Sequence, residues 1–95
     1  MKNILFASVA LASLWSGGAQ ACDITVGLVL ELTGPAGEYG QAGAKSVEMA
    51  FRDLNDAGGV AGCTLKTDTR DSQTQANVAV DAATQLVQVQ KVPAI

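Results

Sequence analysis

Few side chains in this sequence could do chemistry, and the most suggestive one sits in a run of glycines. In VGLVLELTGPAGEYGQAGAKS, residues 26–46, an apolar run passes into a segment with Gly34, Gly37, Gly40 and Gly43 spaced by three. A glycine-rich loop after a strand is a common cradle for phosphate, because bare backbone amides can approach it. The dinucleotide fingerprint needs G-x-G-x-x-G, and this segment has no G-x-G. The P-loop needs glycine directly before Lys-Ser/Thr, whereas Ala44 separates Gly43 from Lys45 and Ser46. Both motifs fail at the position that would meet phosphate. What remains is Tyr39, the only tyrosine of the chain. Between glycines its ring either packs back on the turn or offers an apolar wall and a hydroxyl to a small molecule.

Other chemistry is sparse. The chain has no histidine, so it offers no imidazole for acid–base work or metal binding. No G-x-S-x-G elbow occurs. The closest carboxylates in polar segments, Asp68 and Asp71, read as an edge-strand residue and a helix cap rather than a catalytic pair. These absences disfavour an exported α/β enzyme. No cofactor or metal is expected. With 6 Lys/Arg against 9 Asp/Glu the chain is acidic and shows no basic patch for nucleic acid.

The amino-terminal residues read as a processing signal. Lys2 precedes an apolar run from Ile4 to Trp15, then Gly17-Gly18 and Ala19-Gln20-Ala21. The run is about 12 residues, short of the roughly 20 that span a bilayer, and the A-x-A ending suits a signal peptidase. Residues 1–21 are thus expected to be a cleavable secretory signal, leaving residues 22–95 with a net charge of −4. Cys22 directly after the cut allows a lipoprotein alternative, and with it a membrane contact. Against this, Ala19 stands where lipoproteins carry Leu. At this length a core is marginal, and the closing KVPAI resembles the start of a buried strand, so the segment is expected to begin a larger protein.

The elements that must position Tyr39 follow from the apolar periods. Ile24–Leu30 is a β-rich run apolar on both faces, the mark of a strand inside a covered sheet. From about Gly40 to Ala57 the pattern turns helical, with Val47, Ala50, Phe51 and Leu54 on one stripe. Glu48 and Arg52 are expected to pair on the opposite side, and Gly58-Gly59 to supply a left-handed cap. Thr64–Arg70 alternates as a polar edge strand. Asp71–Gln75 form a turn that can cap a second helix, running to about Val89 with Val78, Ala82, Leu86 and Val89 inward. Pro93–Ile95 begins a third strand. The order β-α-β-α-β opens a doubly wound parallel α/β sheet.

Cys22 and Cys63 each stand just before a strand. If the two strands are parallel neighbours, their starts lie about 4.8 Å apart, within the span a disulfide requires. Export places the chain where such a bond persists. Lipidation of Cys22 or two free thiols are the alternatives; no C-x-x-C and no histidine are present to activate a thiolate.

The segment from Ile24 to Gly62 resembles the start of the periplasmic substrate-binding proteins of branched-chain amino acid ABC transporters. That family has a T/S-G-P-x-x-x-Y/W-G loop after its first strand, matched by Thr33-Gly34-Pro35 and Tyr39-Gly40. Its helix ends in N-x-x-G-G-[VI]-x-G, matched by Asn55, Gly58-Gly59-Val60 and Gly62. The following TRDSQTQANVAVDAATQLV is similar to the family's acidic turn and Ala-rich helix, although no proline follows the turn. The resemblance covers essentially residues 24–95. It implies two α/β lobes closing over a ligand, of which residues 22–95 are the first part of the N-terminal one. It implies that Tyr39, with Gly34 and Pro35 in the same loop, lines the cleft. A hydrophobic or branched-chain amino acid, or a related small amide, is the implied ligand, an inner-membrane permease the implied partner, and the periplasm the implied location. A sensor of the same fold that signals instead of feeding transport is the alternative. The family's main ligand-gripping residues follow strand three and lie in the second lobe, beyond Ile95.

Overall fold

A computed structural model describes the chain from Cys22 to Ile95; the signal expected over residues 1–21 lies outside the described residues. Strand β1 (Asp23–Leu30) is followed by helix α1 (Gly37–Asp56), strand β2 (Thr64–Asp71) and helix α2 (Ala76–Thr84). A π-helical turn, Gln85–Val89, continues α2 without a break. β1 and β2 are parallel, in register from Asp23↔Thr64 to Leu30↔Asp71. On the other side of β1, Ala94 bridges to Val26 in parallel, and the Gly27 amide donates to the Ala94 carbonyl at 2.9 Å. Among the described residues β1 therefore has neighbours on both sides and β2 on one, in keeping with the apolar and alternating patterns. The expected third strand is present as this single bridge.

The register explains how the sheet is covered. Gly27 pairs with Asp68, so Gly27 and Leu65 point to opposite faces. Leu86, fully buried, sits over Gly27, where a Cβ would lie 2.9 Å from its Cδ1. Leu65, the other buried hydrophobic among the described residues, lines a groove with Phe51 of α1. The two helices thus serve opposite faces of β1 and β2.

Helix boundaries and stripes differ from the sequence expectation at identifiable points. α1 begins at Gly37, one turn earlier than expected, so Tyr39 belongs to its first turn and not to the loop. Val47 and Phe51 are half-buried, but Ala50 and Leu54 are exposed. The reason is Asn55, which turns toward β2: its amide donates to the Leu65 carbonyl at 3.0 Å and accepts from the Leu65 amide at 2.8 Å. That rotates the inward row to Val47, Phe51 and Asn55 at steps of four. Glu48 and Arg52 are both exposed, and among the described residues the ion pairs are Asp23–Lys66 and Asp68–Arg70. An exposed pair of that kind gains too little to hold two long side chains together. The end of α1 is as expected: the Gly58 amide bonds the Asn55 carbonyl and the Gly59 amide bonds that of Leu54, a Schellman arrangement with both glycines at positive φ. Past α2, the Gln90 amide reaches the Gln85 carbonyl five residues back, and the extra residue carries Val89 off the inner stripe, leaving it exposed.

At the starting ends of the strands, Cys22 and Cys63 form a disulfide with Cα atoms 4.6 Å apart. The adjoining Thr64 amide donates to the Cys22 carbonyl at 2.8 Å. A sulfur bonded to Cys63 cannot also carry a thioether-linked lipid.

Candidate functional site

The opposite ends of the strands carry the candidate site. Register places Leu30 beside Asp71, so the loop leaving β1 and the turn leaving β2 emerge side by side. Asp71 was expected to cap α2; instead its carboxylate turns across to the loop after β1. Its Oδ1 accepts from the amides of Leu32 (3.0 Å), Thr33 (3.2 Å) and Gln73 (2.8 Å). Its Oδ2 accepts from the Thr33 hydroxyl at 2.6 Å. The Thr33 hydroxyl foremost, then the Gln73 amide and those of Thr33 and Leu32, hold the Asp71 carboxyl below the usual aspartate range; its partial burial opposes them. Helix α2 starts after Gln75, with no side-chain cap bond.

A second brace lies beside the first. The Thr74 hydroxyl donates to the Thr33 carbonyl at 2.9 Å and accepts from the Ala36 amide at 3.3 Å. The Ser72 amide donates to the Leu30 carbonyl at 2.8 Å, and Ser72 itself is buried. Gln73 and Thr74 are both left-handed, with φ of 56° and 58°. A β-branched residue enters that region only where its surroundings over-determine it, and here the hydroxyl bonds of Thr74 do so.

Between these braces the three loop residues expected at the site take distinct positions. Gly34 adopts φ +86°, and a Cβ there would lie 2.7 Å from the Gln73 carbonyl oxygen. Pro35 follows it, and both are exposed. The Gly37 amide closes the turn onto the Gly34 carbonyl at 3.0 Å, starting α1. Two residues on, the Tyr39 ring is 81% exposed, so it does not pack back on the turn. A small cleft of about 210 Å³ lies between the turn after β2 and the start of α2, lined by Glu31, Ser72, Thr74, Gln75, Ala76 and Ala79. None of Tyr39, Gly34 and Pro35 lines it.

The period-three glycines thus have separate reasons. Gly34 makes the turn, and Gly40 lets the helix backbone press on the Glu31 carbonyl, where any Cβ would collide. Gly43 has nothing within 4 Å of where a Cβ would stand. Cys22 and Cys63 lie at the other end of the strands and take no part. Sequence reasoning missed the bracing roles of Asp71 and Thr74. A signal existed, since parallel register sets an aspartate ending one strand beside a threonine following its neighbour. Among the described residues no group of three His, Cys, Asp or Glu gathers to hold a metal ion.

Comparison with known proteins agrees with the parallel α/β fold. The profile of the family described as Periplasmic binding protein matches residues 23–95. The Leu/Ile/Val-binding protein homolog 1 of Brucella abortus is 37% identical over 84 residues, covering 83% of this chain and 23% of its own length. The crystal structure of LivJ, a branched-chain amino acid transporter substrate-binding protein from Streptococcus pneumoniae in complex with isoleucine, superposes with a TM-score of 0.71 at 30% identity, over 74% of this chain and 20% of that one. A fatty acid ABC transporter substrate-binding protein from Thermomonospora curvata gives 0.67 at 28% identity, over 68% of this chain and 17% of that one. The chain thus spans less than a quarter of each of these proteins. With the profile running from the first strand through both braced loops to Ile95, the chain belongs to the periplasmic binding protein family.

Proposed function

We propose that residues 22–95 form the first part of the N-terminal lobe of an extracytoplasmic solute-binding receptor of an ABC importer. The receptor takes a hydrophobic or branched-chain amino acid, or a related small amide, into the cleft between two lobes and delivers it to an inner-membrane permease. The observation that carries this reading is the exposed Tyr39, held on the first turn of α1 directly after a doubly braced turn at the carboxyl end of the central strand. In open parallel sheets that end of the strands is where ligands bind. An amphipathic ring standing free at such a lip is suited to cover an apolar ligand side chain.

Similarity to a Leu/Ile/Val-binding protein homologue and to an isoleucine-bound neighbour favours a branched-chain amino acid. The family makes the periplasm the expected compartment, reached by cleavage after Ala21. The function proposed needs no catalysis and no cofactor: its work is differential binding to open and closed arrangements of the lobes.

The test is a thermal-shift screen of the full-length mature receptor against the common amino acids, small amides and a fatty acid, followed by calorimetry. A ligand that binds only the folded state adds about 2.7 kcal/mol at a hundredfold excess over its dissociation constant. A shift with Leu, Ile or Val is expected, and no shift anywhere in the panel would overturn the reading. Tyr39→Ala is expected to weaken binding at least tenfold while leaving the melting temperature nearly unchanged, because so exposed a ring adds little to folding. Unaltered affinity would remove Tyr39 from the site.

A further inference from the structure

Tyr39 cannot be placed by its own contacts, since its ring is exposed and only its backbone is tied, through the Ala36 carbonyl at 3.0 Å. Its position is therefore inherited from the first turn of α1, which rests on the Glu31 backbone at Gly40, is tied by the Gln41 amide to the Leu32 carbonyl at 3.0 Å, and is reached through the turn that precedes it. That turn is short: Leu32 and Thr33 leave β1, Gly34 swings the chain at φ +86°, and Gly37 is already helical. Any shift at Thr33 is passed through three residues, Gly34, Pro35 and Ala36, to the start of the helix.

Every long-range side-chain tie on this turn comes from the end of β2. Asp71 holds the Leu32 and Thr33 amides and the Thr33 hydroxyl, over a sequence separation of 38 to 39 residues. Thr74 holds the Thr33 carbonyl and the Ala36 amide. Thr74 follows the left-handed Gln73, whose amide is itself tied to Asp71, and is left-handed in turn, with its amide on the Ser72 hydroxyl at 3.4 Å. One carboxylate thus fixes the outgoing loop directly, and through Gln73 fixes the second brace.

We propose that Asp71 is a positioning residue for ligand binding: through Thr33 and Gln73 it sets the turn that aims Tyr39. The ligand part of this proposal rests on the receptor reading above; the structural part does not. Asp71→Ala removes all four bonds, whereas Asp71→Asn keeps the Oδ1 acceptor for three amides and offers an amide to the Thr33 hydroxyl oxygen. Asn55→Ala is the control, because Asn55 clamps β2 to α1 near the opposite end of the strand and is remote from the turn.

Two readouts on the full-length mature receptor test the proposal. In calorimetry with leucine, isoleucine and valine, Asp71→Ala is expected to bind at least tenfold more weakly, with Asp71→Asn within about threefold of the parent and Asn55→Ala unchanged at a temperature where all are folded. In amide hydrogen exchange, Asp71→Ala is expected to speed exchange at least tenfold at Leu32, Thr33, Gln73 and Gly37–Tyr39, and Asn55→Ala not to do so. Equal affinity for Asp71→Ala and the parent, or the same loss in Asn55→Ala, would overturn the positioning role. If the parent binds none of the three amino acids, the receptor reading loses its ligand and exchange alone decides: unchanged protection around the turn overturns the proposal. Should Asp71→Ala not fold, Thr33→Val, which deletes only the 2.6 Å hydroxyl bond, is read in the same way, with a three- to tenfold loss of affinity and faster exchange at Thr33 expected and no change in either overturning the role.

Discussion

Four donors converge on one carboxylate at Asp71, and that has a consequence in acid. A group whose folded-state pKa is depressed adds stability that is fully present above its unfolded value, about 3.9 for aspartate. That stability is lost as pH falls through the lower folded value. Asp68 has the same sign, its carboxyl held down first by the hydrogen bond from Arg70, at 2.7 Å from its Nε. The urea midpoint is therefore expected to fall as pH drops from about 5 toward 2.5. Asp71→Asn should flatten part of that fall and leave the part due to Asp68; an unchanged slope would mean the Asp71 bonds contribute nothing in solution. At this scale the sequence singles out Tyr39, as an isolated aromatic among glycines, and the structure leaves its side chain exposed. The bracing role of Asp71 is harder to read, because three of its four bonds reach residues 38 to 39 positions away; only the parallel register of the two strands, and no local pattern, brings it to the loop after β1.

Elements were legible wherever one local period governed them. β1 is a β-rich run with apolar side chains on both faces and β2 a polar alternation, and each forms the strand its pattern suggests. The glycine pair after Asp56 ends α1 as a left-handed cap must. Departures arise where tertiary contacts override period. Asn55 bonds the β2 backbone and rotates the inward row of α1 away from Leu54, and a π turn displaces Val89, which a 3.6-residue period places inward. The glycine spacing misled most, since it suggested one loop where there is a turn followed by a helix. This separation is testable by substituting two glycines three residues apart. Gly40→Ala puts a Cβ into the Glu31 carbonyl, forces α1 off the sheet and is expected to destabilise by roughly 1–3 kcal/mol. Gly43→Ala meets nothing within 4 Å and is expected to stabilise by about 0.5–1 kcal/mol, through helix propensity alone. Chemical denaturation of both variants decides the matter: equal effects would mean that Gly40 is not in contact with the strand.

For the molecule as a whole, the parallel α/β order and the membership of a binding-protein family were legible because two motifs stand in the right order along one βαβ unit. The packing of that unit was not legible, and it is thin. Among the described residues only Leu65 and Leu86 are buried hydrophobics, while Met49, Leu54, Val80, Val87 and Val89 remain exposed. A groove lined by Leu28, Leu30, Val80 and Ile95 is open to solvent on the side of β1 where Ala94 makes its single bridge. Against this stands the Cys22–Cys63 bond, which closes a loop over a sequence separation of 41 residues and in the chain-entropy model stabilises by roughly 4 kcal/mol. For a segment of this length, so few fully buried apolar side chains leave the core marginal against the conformational entropy of ordering the chain. The segment from Cys22 to Ile95, expressed by itself with the disulfide intact, is therefore expected to show no cooperative thermal transition. A single sharp melt with matching calorimetric and van't Hoff enthalpies would contradict this, and would mean that strand pairing and the disulfide suffice to hold the unit without further packing on its apolar groove.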